Sequence, residues 1–148
     1  MIPQSQASRS QRILVVDDNL INLKLAADLL EFEGYEVLRA GNAAQAQEAI
    51  GRAPPDLILM DIQMPGMDGL TLTRKLKADS LTRGIVIVAM TSFAMKGDEQ
   101  KALDAGCDGY ITKPIDTRKL PGQVARLLKD TRKSGETANP RGQSQIAN

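Results

Sequence analysis

Strand-like runs alternate with segments of helical periodicity, and this alternation limits the chain to a small set of folds. The runs begin at Ile13, Tyr35, Leu57, Ile85 and Gly109, and each is followed by apolar residues that recur with the helical period. The runs at Ile13, Leu57 and Ile85 are almost wholly apolar, which is typical of strands buried on both faces of a sheet. Five strands alternating with five helices predict an α/β fold with a parallel sheet and helices on both of its faces.

The two ends of the chain lack this alternation. Residues 1–10 are rich in Ser and Gln, and residues 131–148 contain almost no apolar side chains. Ordering such segments would bury too little apolar surface to offset the lost conformational entropy. We therefore expect one domain over residues 12–129, with disordered tails over residues 1–11 and 130–148.

Polar side chains follow four of the five predicted strands. Asp17 and Asp18 come after the first strand, Asp61 after the third, Thr91 after the fourth and Lys113 after the fifth. In open parallel sheets, binding sites form outside the carboxyl ends of the strands, where the strand order reverses. We therefore expect these side chains to converge on one edge of the sheet.

Each of these residues alone has an ordinary structural explanation. An aspartate after a strand often caps a helix, a threonine can do the same, and a lysine is most often solvated. Taken separately, these explanations require several coincidences at one edge of one sheet. A single site explains the whole set.

The predicted set suits phosphoryl chemistry. Carboxylates at close range repel each other and need a cation, and oxygen ligands without histidine or cysteine favour Mg²⁺ or Mn²⁺. Aspartate is a competent nucleophile for phosphoryl transfer. The Lys113 ammonium and the Thr91 hydroxyl would then contact two further phosphoryl oxygens.

The composition excludes several other classes of chemistry. The chain has no histidine, which removes histidine acid–base catalysis, and its single cysteine, Cys107, cannot form an intramolecular disulfide. The formal net charge of +1 gives no general attraction to nucleic acid or anionic membrane. The sequence contains no membrane-spanning apolar run and no apolar leader near its start. We expect a cytoplasmic protein with neither nucleic-acid nor membrane partners.

Four motifs carry a family resemblance. They are ILVVDDN at residues 13–19, LMDIQMPGMDG at 59–69, MTS at 90–92 and GYITKP at 109–114. Together they resemble the receiver domains of two-component response regulators. The resemblance covers about residues 12–129 and implies a flavodoxin-like (βα)5 fold with the strand order 2-1-3-4-5.

The resemblance implies a role for each acidic residue. Asp61 would be the residue phosphorylated from a phosphohistidine donor. Asp18, the Asp61 carboxylate and the backbone carbonyl of Gln63 would bind Mg²⁺. Asp17 would act through water or as a second acidic ligand.

Other roles concern the phosphoryl group and the switch. Thr91 and Lys113 would contact the phosphoryl group, and the bond from Lys113 to Pro114 is expected to be cis. Tyr110 resembles the aromatic residue that moves inward when Thr91 shifts on activation. Phe93, two positions after Thr91, is expected to shield the phosphoryl group from hydrolytic water.

The implied partners are a histidine kinase, a histidine phosphotransfer protein or both, and a downstream protein. No output domain follows in this sequence, so we expect signalling by protein–protein contact, as a monomer or a phosphorylation-dependent dimer. Asn19 and Asn22 resemble a variant found in receivers of hybrid kinases and in single-domain cell-cycle regulators, and an alternative role for both is capping the first helix. Leu20 and Ile21 would form a patch for the phosphodonor helix.

Three other functions, and one other context, remain open at this point. A Mg²⁺-dependent phosphatase would also use an aspartyl phosphate, but it would normally have an acidic residue where Gln63 stands. A binding-only receiver is disfavoured because all five site positions are filled. A flavodoxin-like cofactor site is disfavoured because acidic residues follow the first strand. The other context is a receiver excised from a hybrid histidine kinase.

Overall fold

The computed structural model describes residues 11–64, 68–91 and 97–137. Within these ranges the chain alternates strands and helices throughout. The strands β1 to β5 are Arg12–Val16, Glu36–Ala40, Leu57–Asp61, Val86–Thr91 and Gly109–Thr112. The helices α1 to α5 are Leu20–Phe32, Ala43–Arg52, Gly69–Ala78, Asp98–Ala105 and Leu120–Thr137.

The five strands form one parallel sheet in the order β2-β1-β3-β4-β5. This confirms the predicted flavodoxin-like (βα)5 fold. The strand order reverses between β1 and β3, where Val16 pairs with Met60. The next residue of β3, Asp61, pairs with Met90 of β4. The carboxyl ends of β1, β3 and β4 therefore lie side by side at the reversal point.

The sheet is buried on both faces because its strands alternate between two apolar clusters. In β1, Leu14 and Val16 pack into one cluster with α2, α3 and α4. Ile13 and Val15 pack into the other with α1 and α5. All four side chains are inaccessible to solvent. This two-sided burial explains why the central strands are apolar at every position.

Three helices near the site begin at side-chain caps. The Asn19 side chain accepts hydrogen bonds from the backbone N–H groups of Ile21 and Asn22. Asn42 accepts from the N–H of Gln45, and Asp68 accepts from the N–H of Thr71. These bonds satisfy N–H groups that have no partner inside the helix. Each cap also fixes where its helix leaves the sheet edge.

The structure differs from expectation at a few boundaries. The sequence predicts a disordered tail from residue 130, whereas α5 continues to Thr137. A helix that packing has already nucleated can add turns at little cost. The helix α2 includes Gly51 and ends at Arg52. Leu20, the first residue of α1, is 73% exposed.

Some predictions fall outside the described residues. They concern both termini, the Pro65–Gly66 turn, and the positions of Ser92 and Phe93. None of the helices built by the described residues combines the length and the apolar character that crossing a bilayer requires.

Candidate functional site

The carboxyl edge of the sheet brings together the side chains that the sequence places after separate strands. Asp17 follows β1, and its backbone N–H donates to the carbonyl of Ala40 (3.0 Å). Asp61 is the last residue of β3 and Thr91 the last of β4. Lys113 follows β5, and its N–H donates to the Thr91 carbonyl (2.7 Å). The backbone ladder thus holds the predicted site residues in register.

Asp17, Asp18 and Asp61 form an acidic cluster whose ligand oxygens all lie within 4.8 Å of one another. Asp17 and Asp61 are buried, with 0% and 1% of their surfaces exposed, whereas Asp18 is exposed. The cluster therefore combines two rigid carboxylates with one that solvent can reach.

The two buried carboxylates are held in the same way. Oδ1 of Asp17 accepts the backbone N–H of Asn19 (2.9 Å), and Oδ1 of Asp61 accepts that of Gln63 (3.0 Å). The other oxygens face the Lys113 ammonium, at 3.0 Å for Asp17 Oδ2 and 3.4 Å for Asp61 Oδ2. One lysine therefore lies between two oriented carboxylates.

Among the described residues, the acidic groups at this edge outnumber the basic groups close to them. Burial raises the pKa of Asp61 from 3.8 to about 6, and the nearby Asp17 carboxylate adds to this rise. The Gln63 N–H and the Lys113 ammonium act in the opposite direction. In the described part of the chain, Lys113 pairs with two of the three clustered carboxylates, those of Asp17 and Asp61. A hard divalent cation fits this all-oxygen donor set and would remove the imbalance.

An open cavity of about 500 Å³ gives access to the cluster. Its lining residues are Asp18, Asn19, Asn22, Asp61, Gln63, Lys113 and Pro114. Asn22 therefore lines the cavity, while Asn19 both lines it and caps α1. Thr91 is buried at the end of β4 with 1% of its surface exposed and is not among the lining residues. The Lys113–Pro114 bond is cis, as predicted.

Tyr110 lies apart from the acidic cluster. It is 40% exposed, and its pKa is raised by the charge of Glu99 and by a hydrogen bond with the Glu99 side chain. The phenol is therefore outward in this structure. Sequence reasoning identified Tyr110 but not Glu99, because nothing in the sequence brings the start of α4 next to β5.

Sequence reasoning also missed Gly69, the first residue of α3. A Cβ at this position would overlap the backbone of Asp61 and Ile62. The sequence signal was a glycine directly after Asp68 at the end of the LMDIQMPGMDG motif, and this position alone does not reveal the contact with β3.

The fold and the acidic, lysine-bearing strand edge are those of a signalling receiver. A family model described as the response regulator receiver domain matches residues 13–125. The chain belongs to this family, whose members are phosphorylation-dependent switches of two-component systems and not enzymes of metabolism. Receiver domains bind Mg²⁺ through an aspartate cluster, and the cluster seen here fits that ion.

Particular relatives come from bacteria and archaea. The polar-differentiation response regulator DivK of Brucella anthropi is 43% identical over 118 residues, which cover 80% of this chain and 96% of that protein. A CheY-like receiver domain protein from Methanospirillum hungatei JF-1 has a TM-score of 0.77 and 35% identity, covering 85% of this chain and 99% of that one. The receiver domain of a histidine kinase from Syntrophus aciditrophicus has a TM-score of 0.75 and 29% identity, with coverages of 94% and 98%.

Proposed function

We propose that Asp61 accepts a phosphoryl group from a phosphohistidine donor and that the resulting aspartyl phosphate is the signal. The observation that carries the proposal is the setting of Asp61. One of its oxygens is held by the Gln63 N–H, and the other faces Lys113 beside two further carboxylates. The carboxylate is thus oriented for attack, next to the groups that would bind the incoming phosphoryl oxygens.

The transfer replaces a phosphorus–nitrogen bond with a phosphorus–oxygen bond. A carboxylate oxygen of Asp61 attacks phosphorus, the bond to the donor imidazole breaks, and the leaving nitrogen regains a proton from solvent. The Lys113 ammonium neutralises one phosphoryl oxygen and the Thr91 hydroxyl donates to another. The Lys113 ammonium already faces the Asp61 carboxylate, and Thr91 would complete the set of donors by shifting toward the phosphoryl group.

Asp17, Asp18, the Asp61 carboxylate and the Gln63 backbone carbonyl would hold Mg²⁺ or Mn²⁺. When bound, the ion would supply positive charge to the phosphoryl oxygen that Lys113 and Thr91 do not reach. The exposed Asp18 carboxylate gives the ion a route into the cluster. The protein's own part is to orient two carboxylates rigidly and leave the third adjustable.

The same residue roles would make the domain a switch between two conformations. Thr91 would shift toward the phosphoryl group, and Tyr110 would move inward from the outward position in which it contacts Glu99. These movements would change the surface formed by α4, β5 and α5, which a downstream protein would recognise.

For the phosphodonor we propose a helix of a histidine kinase or phosphotransfer protein that docks on α1 in the cytoplasm. Leu20 and Ile21 are 73% and 79% exposed, and they adjoin Asn19 and Asn22 at the mouth of the cavity. A helix that covered this patch would bring its phosphohistidine to the cavity. Exposed apolar side chains beside a reactive cavity are typical of such docking surfaces.

The docking proposal has a matched control on the same helix. Ile21→Ser should slow phosphotransfer from a purified phosphorylated histidine phosphotransfer protein, but not labelling by acetyl phosphate. Phe32 is 86% exposed and lies about 16 Å further along α1, so Phe32→Ser should affect neither reaction. Equal slowing by the two substitutions, or none by Ile21→Ser, would contradict docking at this end of α1.

The acceptor proposal is tested with acetyl phosphate, which needs no partner protein. With Mg²⁺, the wild type should gain one phosphoryl group by intact mass, and Asp61→Asn should gain none. Asp28→Asn, which removes a surface carboxylate from α1, should be labelled like the wild type. Labelling of Asp61→Asn would refute Asp61 as acceptor, and fast hydrolysis of many phosphate esters would favour the phosphatase alternative.

A further inference from the structure

We propose that Gly69 is a positioning residue for the phosphoacceptor. Its lack of a side chain lets the first turn of α3 rest directly on the backbone of Asp61 and Ile62. This contact fixes the end of β3, and with it the Asp61 carboxylate and the Gln63 backbone. This inference rests on the proposed role of Asp61. Gly69 does not itself react, but it determines the geometry of the Asp61 carboxylate.

The position that a Cβ of residue 69 would take is occupied mainly by backbone atoms of Asp61 and Ile62. A Cβ there would overlap the carbonyl oxygen of Asp61 and lie 2.9 Å from both the Ile62 Cα and the Met60 Cγ. Carbon atoms in contact normally lie about 3.5–4.0 Å apart. The Met60 side chain can rotate away, but the backbone of Asp61 and Ile62 can move only if the strand end itself moves.

The helix side of this contact is anchored. The Asp68 side chain caps the Thr71 N–H (2.8 Å), and the Thr73 hydroxyl donates to the Gly69 carbonyl (2.7 Å). Further along α3, Leu72 is fully buried in the core. Both hydrogen bonds lie within α3 and its cap and stiffen the first turn, and the burial of Leu72 opposes withdrawal of the helix.

The strand side is anchored by its ladder, in which Asp61 pairs with Met90, and by two hydrogen bonds beyond it. Beyond the last paired residue, the Ile62 N–H donates to the Met90 carbonyl (3.2 Å), and the Gln63 N–H donates to Asp61 Oδ1 (3.0 Å). A methyl group at position 69 would therefore strain both partners, and Ile62 and Gln63, which lie beyond the ladder, would take up part of the displacement. That displacement would disturb the N–H that orients the Asp61 carboxylate and the carbonyl proposed to bind Mg²⁺.

The expected effect of Gly69→Ala arises from a steric clash of the added Cβ and not from the backbone conformation of Gly69. Gly34, Gly97 and Gly106 have positive φ values, whereas Gly69 does not. Gly51 in α2 has no atom within 4 Å of an added Cβ. Gly51→Ala therefore provides a matched control, with the same chemical change in a helix but no clash.

The test compares Gly69→Ala with Gly51→Ala. Mg²⁺ affinity is measured by calorimetry, phosphorylation by acetyl phosphate, and the position of the Gln63 amide by NMR. Gly69→Ala should bind Mg²⁺ about tenfold more weakly, as when groups that orient metal ligands are altered. It should also be phosphorylated more slowly and show a shifted Gln63 amide, while Gly51→Ala matches the wild type throughout. Wild-type Mg²⁺ affinity in folded Gly69→Ala would overturn the proposal.

A second variant keeps the test decisive if Gly69→Ala does not fold. Thr73→Val removes the hydroxyl that donates to the Gly69 carbonyl, loosens the same turn and adds no clash. It should weaken Mg²⁺ binding in the same direction, and unchanged affinity would then count against the proposal. Failure of the proposed function would give a different result. The wild type would then not be labelled at Asp61, but Gly69→Ala would still shift the Gln63 amide relative to the wild type.

Discussion

Replacing Asp61 by asparagine should stabilise the protein at neutral pH when no divalent cation is present. Asparagine keeps the shape of the side chain and the acceptor for the Gln63 N–H, but it carries no charge. Burial raises the pKa of Asp61 from 3.8 to about 6. On a rise in pH the unfolded chain therefore releases this proton first, and the free energy of unfolding falls across that window. Above it, the folded wild type bears the full cost of a buried carboxylate.

The magnitude follows from the size of the pKa difference. A rise from 3.8 to about 6 corresponds to roughly 3 kcal/mol once the pH is above both values. The open cavity lets water screen part of this charge. We therefore expect Asp61→Asn to raise the free energy of unfolding by about 1 to 2 kcal/mol at neutral pH.

Urea denaturation followed by far-UV circular dichroism, with a chelator present, measures this difference. The gain should be present at about pH 7.5 and small at about pH 4, where the folded wild type is already protonated. Asp28→Asn serves as the control, because hydrogen bonds from Lys24 and Arg39 lower the pKa of Asp28, so its removal should not stabilise at neutral pH. An Asp61→Asn protein less stable than the wild type at neutral pH, or equally stabilised at both pH values, would refute the reasoning.

Two further predictions concern Lys113 and the outward Tyr110. Lys113→Met removes the ammonium 3.0 Å from Asp17 and should destabilise the protein by about 3 kcal/mol at neutral pH, as measured by urea denaturation. No loss of stability at neutral pH, or an equal loss at acidic pH, would contradict the ion pair. Glu99→Gln removes the charge that raises the pKa of Tyr110. Phenolate absorbance, measured in a Tyr35→Phe background, should therefore show Tyr110 titrating at lower pH. An unchanged titration would show that Glu99 does not influence the phenol.

The sequence was sufficient to predict the fold and the convergence of the site for one physical reason. In a parallel sheet the carboxyl ends of all strands lie at one edge, so the residues after strands meet regardless of their separation in sequence. Asp17, Asp61 and Lys113 follow three different strands and lie within ion-pair distance in the structure. Once the strands were recognised, only the topology was needed.

The features that the sequence did not predict depend on contacts between elements. The neighbour of Tyr110 is a residue of α4, and the constraint at Gly69 comes from the backbone of β3. The extent of α5 to Thr137 depends on propagation from its packed turns and not on the composition of residues 130–137. Such features need the packing of one element on another, which no local pattern encodes.

The central claim is that phosphorus becomes bonded to Asp61, and chemical trapping tests it most directly. The protein is phosphorylated with Mg²⁺ and acetyl phosphate, the acyl phosphate is reduced with borohydride, and peptide mass spectrometry locates the reduced residue. We predict reduction of the phosphorylated protein at Asp61 alone, dependent on both Mg²⁺ and the phosphodonor. Reduction at another carboxylate, or phosphoryl labelling that leaves Asp61 unmodified, would contradict the account.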